Sequence, residues 1–381
     1  MDVYFDNAAS TIITKEVLDE MIKCQKDIFA NPSSVHKFGR KAKTIIENCR
    51  SIISSKLKTS PGNIFFTSGG TEGDNMAIFS IARSKKIKNI ITSRIEHPAV
   101  LQPIQYLMKN EKIISHFVDT DKNGNIDYQH LSSLLSKFES NTLVSLMHAN
   151  NEIGIINDIK KIGEICKKNN ALFHSDAVQT VCHYEIDLSD IYINSITASA
   201  HKFHGPKGIG FAFIRKNTKI DPFIVGGPQE RGQRAGTESV HNIIGLQKAI
   251  EMAYENLDKE RVYVLGLKKY FIAQIKKLFP TAHFNGLSEN LEKSTYTLVN
   301  VAFPLVGSKA QLLDFHLDLK GIACSKGSAC QSGAALGSHV LDNLKRPEEV
   351  KKQSSLRFSF SSFNTLKEID YVIDCLSELQ N

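Results

Sequence analysis

The sequence predicts an α/β protein built on a mostly parallel sheet, and two observations predict it. From about residue 60 to residue 215, short apolar runs alternate with helical stretches, which is the pattern of β-α-β units. The apolar runs are not interrupted by alternating polar residues, as is typical of strands that are buried on both faces. Ligands of such sheets bind beyond the carboxyl ends of the strands, so we searched for chemistry in residues that follow a strand.

Residue spacing places the individual elements. Short β-rich runs predict strands at 63–67, 89–93, 142–147, 171–174, 196–198 and 209–214, and periodic apolar positions predict helices at 71–83, 98–109 and 158–168. A loop rich in glycine, proline and arginine follows at 222–236, and then a long helical stretch at 239–278. Beyond it, the sequence predicts strands at 297–301 and 355–359 and helices at 309–319 and 366–379. We therefore expect a large domain at 15–255 and a smaller α+β domain formed by 1–14 and 256–381.

Composition excludes several classes of protein. The chain has 381 residues, a formal net charge of +7 and seven cysteines. Its basic residues are spread along the chain without interleaved aromatic residues, so we do not expect it to bind nucleic acid. It has neither an apolar run long enough to span a membrane nor the features of a signal peptide. The odd cysteine count and the lack of a CxxC pair argue against disulfides and structural zinc, so we expect a cytoplasmic protein.

The most specific run is SAHKFHGPKG at residues 199–208. Lys202 follows a predicted strand and precedes a Gly-Pro turn, which places it at the ligand-binding edge of the sheet. A lysine in this position can form a Schiff base with a carbonyl cofactor; the alternative is a surface lysine beside a turn. A zinc site formed by His201 and His204 is a weaker interpretation, because no third ligand lies near them in the sequence.

Two further runs fit a cofactor that carries a ring and a phosphate. In FHSDAVQ at residues 173–179, Asp176 lies just past an apolar strand. A carboxylate there could hold the ring nitrogen of pyridoxal phosphate (PLP) protonated, and Gln179 could bind the ring hydroxyl; a helix cap is the alternative role for Asp176. The glycine-rich turn TSGGTE at 67–72 suits a phosphate. It matches neither the Walker nor the dinucleotide spacing, which argues against an ATPase and a dehydrogenase.

Three other side chains are candidates for chemistry. His97, in EHPAV after the second strand, could stack on a flat ring and transfer protons, or could be an ordinary loop histidine. Cys330 lies in CSKGSACQSG at 324–333, whose small residues suit an open loop and a nucleophile that moves into a site; a buried structural thiol is the alternative. Arg357, in an apolar strand, could bind a substrate carboxylate through two hydrogen bonds.

Together these runs resemble the PLP-dependent cysteine desulfurases of fold type I, in the class V aminotransferase group, and specifically the first of the two desulfurase groups. DNAA at 6–9, NPSS at 31–34, NNEIG at 150–154 and ERGQRAGT at 230–237 extend the resemblance over almost the whole chain. It implies a large domain with a mostly parallel seven-stranded sheet, a smaller α+β domain and a homodimer. The implied cofactor is pyridoxal 5'-phosphate.

The resemblance also implies a role for each candidate. Lys202, Cys330 and His97 would be catalytic: Lys202 would form the Schiff base, Cys330 would accept sulfur and His97 would stack on the ring. The cofactor would be bound by Gly70, Thr71, Asn151, Asp176, Gln179, Ser199, His201 and Lys202, and by Thr237, which would reach the phosphate of the partner subunit. Asn151 and Arg357 would bind the carboxylate of L-cysteine. No metal site is implied.

The implied reaction converts L-cysteine into L-alanine through a PLP ketimine and a persulfide on Cys330. The sulfur would pass to an acceptor protein such as an iron–sulfur scaffold. Alternatives are a selenocysteine lyase or another fold type I enzyme and, in a different class, a non-catalytic partner subunit. Transamination needs no thiol, and a non-catalytic subunit would be expected to lack Lys202 or Cys330, both of which are present.

Two residues depart from the family pattern. Lys326 stands where a small residue is usual, which predicts a cation close to Cys330 that lowers the pKa of its thiol. Pro228 replaces a usual glycine shortly before Glu230, so the shape of that loop does not follow from the resemblance.

Overall fold

The computed structural model describes residues 1–138, 140–327 and 337–379. Its strands are β1 (Val3–Tyr4), β2 (Ile64–Thr67), β3 (Asn89–Thr92), β4 (Ile114–Phe117), β5 (Thr142–Ser145), β6 (Leu172–Asp176), β7 (Ser195–Ser199), β8 (Gly210–Ile214), β9 (His283–Phe284), β10 (Leu298–Phe303), β11 (Ile322–Ala323) and β12 (Ser354–Ser359). Its helices are α1 (Lys15–Asp27), α2 (Lys37–Lys56), α3 (Gly70–Ser84), α4 (Pro98–Glu111), α5 (Tyr128–Leu135), α6 (Ile159–Lys168), α7 (Val240–Leu278), α8 (Gly307–Gln311), α9 (Leu313–Leu319), α10 (His339–Asp342), α11 (Glu348–Lys351) and α12 (Leu366–Ser377).

The central sheet has seven strands in the order β2-β8-β7-β6-β5-β3-β4. Strand β8 runs antiparallel to its neighbours β2 and β7, and the other pairs in the sheet are parallel. The inner strands β5, β7 and β8 are buried along their whole length, as is typical of strands covered on both faces. The predicted α/β fold with a mostly parallel seven-stranded sheet is confirmed.

Close packing of α3 on β7 positions the cofactor end of the sheet. A Cβ atom at Gly73 would lie 2.4 Å from Cγ2 of Thr197, so only glycine allows the helix to approach the strand this closely. The contact sets the start of α3 beside the carboxyl end of β7. There, a Cβ at Gly69 would be 3.5 Å from Oγ of Ser199. The turn between β2 and α3 therefore faces the residues that follow β7.

The two halves of helix α7 belong to two different large clusters of buried apolar side chains. The first contains Phe173 of the central sheet and Ile243 from the first half of α7. The second contains Phe271 from the second half of α7, Phe358 of β12 and Phe5 from the N-terminal segment. The helix thus passes from one core to the other. The proposed domain boundary near residue 255 falls within it and stays a prediction.

The C-terminal part is built on β10, which pairs antiparallel with both β9 and β12, while β1 pairs parallel with β11. The helix predicted at 309–319 is wrong as a single element. It is divided into α8 and α9 because Leu312 between them has φ −104° and ψ 17°, outside the helical region. Within the described residues, no helix is both long and apolar enough to cross a membrane.

Candidate active site

The carboxyl ends of β6 and β7 and the start of α3 surround one cavity. Ten of the twelve predicted site residues line it: Gly70, Thr71, His97, Asn151, Asp176, Gln179, Ser199, His201, Lys202 and Arg357. Thr237 is exposed and is not part of this wall. Cys330 lies outside the residues that the structure describes.

Lys202 lies three residues past the end of β7, in a short 3-10 turn at Ala200–Lys202, and its ammonium group reaches the N-terminal segment. Its Nζ donates to the carbonyl oxygens of Ala8, at 2.7 Å, and Ala9, at 2.8 Å. The side-chain amide of Gln179 donates to the same Ala8 oxygen at 3.0 Å. Residues 8 and 9 are therefore part of the cavity wall, where they orient two of the predicted site residues, although neither was predicted to have a role of its own.

Asp176 is the last residue of β6 and is 7% exposed. Its Oδ1 accepts the backbone N–H of Val178 at 2.9 Å, so it stabilises a turn and does not cap a helix. Burial, together with the nearby carboxyl of Asp74, raises the pKa of Asp176 to about 6, and the nearby His97 opposes this shift. At neutral pH the group is mostly ionised and can pair with a protonated ring nitrogen.

Two buried acids, Asp74 in the cavity wall and Glu96 next to His97 in the chain, were missed by the sequence reasoning. Asp74 of α3 and Glu96 are each 1% exposed, and burial raises the pKa of each carboxyl to about 8. Oε1 of Glu96 accepts from the hydroxyl of Ser93 at 2.8 Å and from the backbone N–H of Met147 at 3.1 Å. Because these two acids hold a proton at neutral pH, the negative charge in this region is concentrated on Asp176.

His174 lies two residues before Asp176 on β6 and is fully buried. Its Nδ1 is 2.9 Å from Oγ of Ser195, and its Nε2 is 3.3 Å from Oδ1 of Asp74. Burial lowers the pKa of His174 to about 4, so the imidazole is neutral. A neutral histidine beside a protonated aspartic acid places no net charge under the cavity.

His97 precedes α4 and acts as its N-cap: its Nδ1 accepts the backbone N–H of Ala99 at 3.1 Å. Burial lowers the pKa of His97, an effect that Asp176 opposes and Lys202 reinforces. A neutral ring whose Nδ1 accepts a hydrogen bond carries its proton on Nε2. The side chain that lines the cavity therefore has an N–H group to offer a ligand.

The start of α3 fits a phosphate group. Its N-cap, Gly69, provides no side-chain hydrogen bond, so the backbone N–H groups of the first turn are left for a ligand. A Cβ at Gly70 would lie 2.8 Å from Cγ2 of Val178 and would fill this cradle. Nδ1 of His201 is buried without a hydrogen-bond partner in the described chain, and burial lowers the pKa of His201 to about 4. Together with Lys202 and Asp176, the N–H groups at the start of α3 and the ring of His201 suit the binding of PLP.

Arg357 of β12 forms another part of the wall and is 1% exposed. Its Nη2 is 2.7 Å from Oδ1 of Asp6, and its Nη1 donates to the carbonyl of Asn151 at 2.8 Å. The hydroxyl of Ser325 donates to the same Asp6 oxygen at 2.8 Å. The predicted carboxylate-binding arginine is thus fixed by Asp6, to which the sequence reasoning gave no role.

The loop that contains Pro228 has a defined shape. Glu230 and Arg231 both have positive φ, 42° and 56°, and the carbonyl of Pro228 accepts the N–H of Gly232 at 3.2 Å. The Glu230 carboxylate receives two hydrogen bonds from the guanidinium of Arg50, at 2.7 and 2.8 Å, with both side chains almost fully buried. This buried pair fixes the loop that leads to exposed Thr237.

Lys326 has partners of its own: Nζ donates to the carbonyl of Gln311 at 3.2 Å and is 3.6 Å from Oδ1 of Asp314. Its effect on Cys330 stays a prediction.

All six cysteines among the described residues are free, and burial raises the pKa of Cys324, the least buried of them, to about 12. A thiol with that pKa is not a nucleophile at neutral pH. Among the residues that the structure describes, no group of three or more His, Cys, Asp or Glu side chains could hold a metal ion.

Comparisons with known proteins give similar chains over nearly the whole length of this one. The family model for class-V aminotransferases matches residues 3–372. The cysteine desulfurase IscS of Dictyoglomus turgidum is 42% identical over 99% of this chain and 94% of its own length. The cysteine desulfurase IscS of Methanosarcina thermophila is 40% identical over 99% of this chain and 91% of its own.

Solved structures give the same result. A NifS-like protein superimposes with a TM-score of 0.90 at 35% identity, covering 100% of this chain and 99% of its own. A NifS-like protein from Rickettsia africae gives a TM-score of 0.88 at 31% identity, with coverage of 100% and 99%. Because the matches extend over nearly the whole chain, this protein belongs to the PLP-dependent cysteine desulfurases of the class-V aminotransferase family.

Proposed function

We propose that the chain removes sulfur from L-cysteine with the residues of this cavity and passes it to an acceptor protein. The observation that carries the proposal is the arrangement of four groups in one cavity: the Lys202 amine, the Asp176 carboxylate, the uncapped start of α3 and the Arg357 guanidinium. PLP, when bound, supplies an electron-accepting ring that stabilises the negative charge left when the substrate loses its Cα proton.

Each part of the cofactor has a matching group. Lys202 would bind its aldehyde, and Asp176 would pair with its ring nitrogen, with Gln179 near the ring oxygen. The start of α3, with Gly70, Thr71, Ser199 and His201, would hold its phosphate. His97 would stack on the ring.

The protein side chains then orient the substrate and move its protons. Arg357 and Asn151 would hold the carboxylate of L-cysteine, Nζ of Lys202 would take the Cα proton, and Nε2 of His97 would exchange protons at the site. The Cys330 thiolate would attack the substrate sulfur: the new S–S bond forms as the C–S bond breaks, and the C–S electron pair stays with carbon. Protonation of that carbon and return of a proton from Nζ of Lys202 to Cα complete alanine, and the sulfur remains as a persulfide on Cys330. An iron–sulfur scaffold thiol is the proposed acceptor.

Two features support a homodimer. Thr237 lies on a fixed loop but away from the cavity of its own chain. Large apolar side chains are exposed on this chain, including Phe29 at 77%, Val35 at 87% and Val225 at 87%, which suits an interface with a second copy. Mixed dimers of Thr237→Ala and Lys202→Ala chains contain one site with both residues intact, so they should recover activity that neither parent has. We place this dimer in the cytoplasm, where the free thiols stay reduced.

The central test uses two variants. Lys202→Ala should lose the cofactor bond that borohydride traps, and unchanged trapping would place the Schiff base elsewhere. Cys330→Ser should bind PLP normally but form no persulfide from L-cysteine, measured by mass spectrometry of the intact chain. A Cys330→Ser protein with full desulfurase activity would contradict the proposed acceptor. Selenocysteine measured in the same assay would rank the two substrates.

A further inference from the structure

The residues on either side of segment 328–336, which contains Cys330, lie against each other. A Cβ at Gly327 would be 3.3 Å from Cβ of Ser338 and 3.8 Å from Oε2 of Glu152. Gly327 has a φ of +84°, a conformation that favours glycine. The chain therefore enters and leaves this segment through one narrow neck, formed by Gly327, Ser338 and Glu152.

Glu152 provides the polar contact of the neck. The Ser338 hydroxyl donates to Oε2 of Glu152 and accepts the backbone N–H of Leu341 at 3.0 Å, as the N-cap of α10. Glu152 is fully buried, and its Oε1 has no hydrogen-bond partner among the described residues. Burial raises the pKa of Glu152, while the Ser338 hydroxyl and the nearby Arg357 oppose that shift. The hydrogen bond from Ser338 therefore ties the start of α10 to a buried carboxyl group.

The backbone of Glu152 is held from both sides. Its N–H donates to Oδ1 of Asn150 at 2.9 Å, and its carbonyl accepts from Nδ2 of Asn300 on β10 at 3.0 Å. The carbonyl of the preceding residue, Asn151, accepts from Arg357 at 2.8 Å. The neck is therefore fixed one residue away from a contact of the proposed carboxylate-binding arginine.

A second contact reinforces the returning side of the neck. Nε2 of His339 is 2.8 Å from the carbonyl oxygen of Glu96, the residue before His97. The next two side chains, Val340 and Leu341, are buried in an apolar cluster with Ile95 and others. The returning chain is thus tied both to the 150–154 turn and to the loop that carries His97.

We propose that Glu152 is a positioning residue for sulfur transfer: through Ser338 it fixes the neck from which the Cys330 segment extends, beside Arg357. The inference rests on the proposed role of Cys330 as sulfur acceptor. Substrate binding does not use that thiol, so it should not depend on the neck. Attack of the thiolate on the substrate sulfur requires close alignment of the two atoms, so it should depend on the neck strongly.

The test uses the full-length PLP-loaded protein with Ser338→Ala, Ser338→Thr and Glu152→Gln. In a single turnover, Ser338→Ala and Glu152→Gln should form the Cys330 persulfide roughly 10- to 100-fold more slowly, because small misplacements of reacting groups carry such penalties. The L-cysteine concentration that half-saturates the change in cofactor absorption should shift by less than about twofold, since binding does not use the thiol. Ser338→Thr keeps the hydroxyl and should restore the rate, and Ser377→Ala, at an exposed helix end, is the matched control.

Wild-type persulfide formation in Ser338→Ala would overturn the role of the neck. So would an equal loss of substrate binding and persulfide formation in both variants, because that result indicates general disruption. A Cys330→Ser chain that still forms a persulfide would instead refute the proposed acceptor. If Cys330→Ser is inactive while Ser338→Ala and Glu152→Gln are unaffected, only the neck inference fails.

Discussion

The acidic groups in and around the site fall into two regions that neutralise charge in different ways. Beneath the cavity, Asp74 and Glu96 hold a proton, because burial raises the pKa of each to about 8. At Arg357 and Arg50, the carboxylates of Asp6 and Glu230 are paired with buried guanidinium groups, each at 2.7 Å. The first region is neutral because of protons, and the second because of fixed cations.

The difference has a consequence for pH. A carboxyl group can lose its proton as the pH rises, whereas a guanidinium stays charged throughout the range in which proteins are folded. The two buried acids should therefore respond to pH near their raised pKa of about 8, whereas the guanidinium groups keep their charge. Variants at the two regions test this contrast.

The largest effect is expected at the buried pair of Arg50 and Glu230. Arg50→Met leaves a carboxylate buried without its cation, which should lower the free energy of unfolding by about 3–5 kcal/mol. Chemical denaturation measures the loss. The double variant Arg50→Met with Glu230→Leu removes both charges and should recover much of it. A double variant as unstable as the single one would show that the unpaired charge is not the cause.

Substitution of Arg357 should reduce activity more than stability. Arg357→Met removes the group proposed to bind the substrate carboxylate and leaves Asp6 without its cation, so kcat/KM for L-cysteine should fall about 100-fold or more. Steady-state alanine production gives the ratio. Arg83→Met, which breaks an exposed pair with Glu111, should leave kcat/KM unchanged. Loss of activity in both Arg357→Met and Arg83→Met would show that the effect is not specific to the proposed carboxylate-binding arginine.

Asp176 should make cofactor binding depend on pH. Its pKa is about 6 in the cofactor-free protein, so below that pH the wild-type side chain becomes neutral, like asparagine. The ratio of the PLP dissociation constants of Asp176→Asn and wild type should therefore decrease by up to about tenfold per pH unit below pH 6. Absorption titrations of the apoprotein at pH 5 to 8 measure it. A ratio that is constant over this range would contradict the assignment.

Asp74 should make folding stability depend on pH. The pKa of its carboxyl is raised from 3.8 to about 8 in the folded protein, so between those values the folded state holds a proton that the unfolded state has lost. Raising the pH therefore destabilises the wild type relative to Asp74→Asn, by up to about 1.4 kcal/mol per unit. Chemical denaturation of both proteins at pH 5, 6, 7 and 8 tests the slope. Parallel stability curves would show that Asp74 is ionised in the folded state.

The sequence predicted the central sheet because its inner strands are short β-rich runs that alternate with helical stretches. It did not predict β4, an edge strand whose first residue is exposed and whose others are half-buried. Helices α1 and α2 were also missed, although the signal is present in α2. Its buried Ala42, Ile46, Cys49 and Ile53 recur at helical spacing.

The sequence alone predicted those site residues that lie at or just after the carboxyl end of a strand. Asp176 is the last residue of β6, Lys202 lies three residues past the end of β7, and these strand ends meet at one edge of the sheet. Asp6 could not be found in this way, because its partner Arg357 lies 351 residues further along the chain. Asp74 was missed for a different reason: an acid in the first turns of a helix resembles a favourable dipole contact. Its unusual pKa arises only when the sheet covers it.

The pairing of the N-terminal segment with strands formed near the end of the chain has a consequence for synthesis. Val3 pairs with Ile322, Ser359 donates its N–H to the carbonyl of Phe5, and Asp6 binds Arg357. A ribosome makes residues 3–6 first, yet their partners emerge only after more than 300 further residues. Contacts of such long range form slowly. The nascent protein therefore cannot assemble the pair of Asp6 and Arg357 until translation has passed β12, and incomplete chains would lack it.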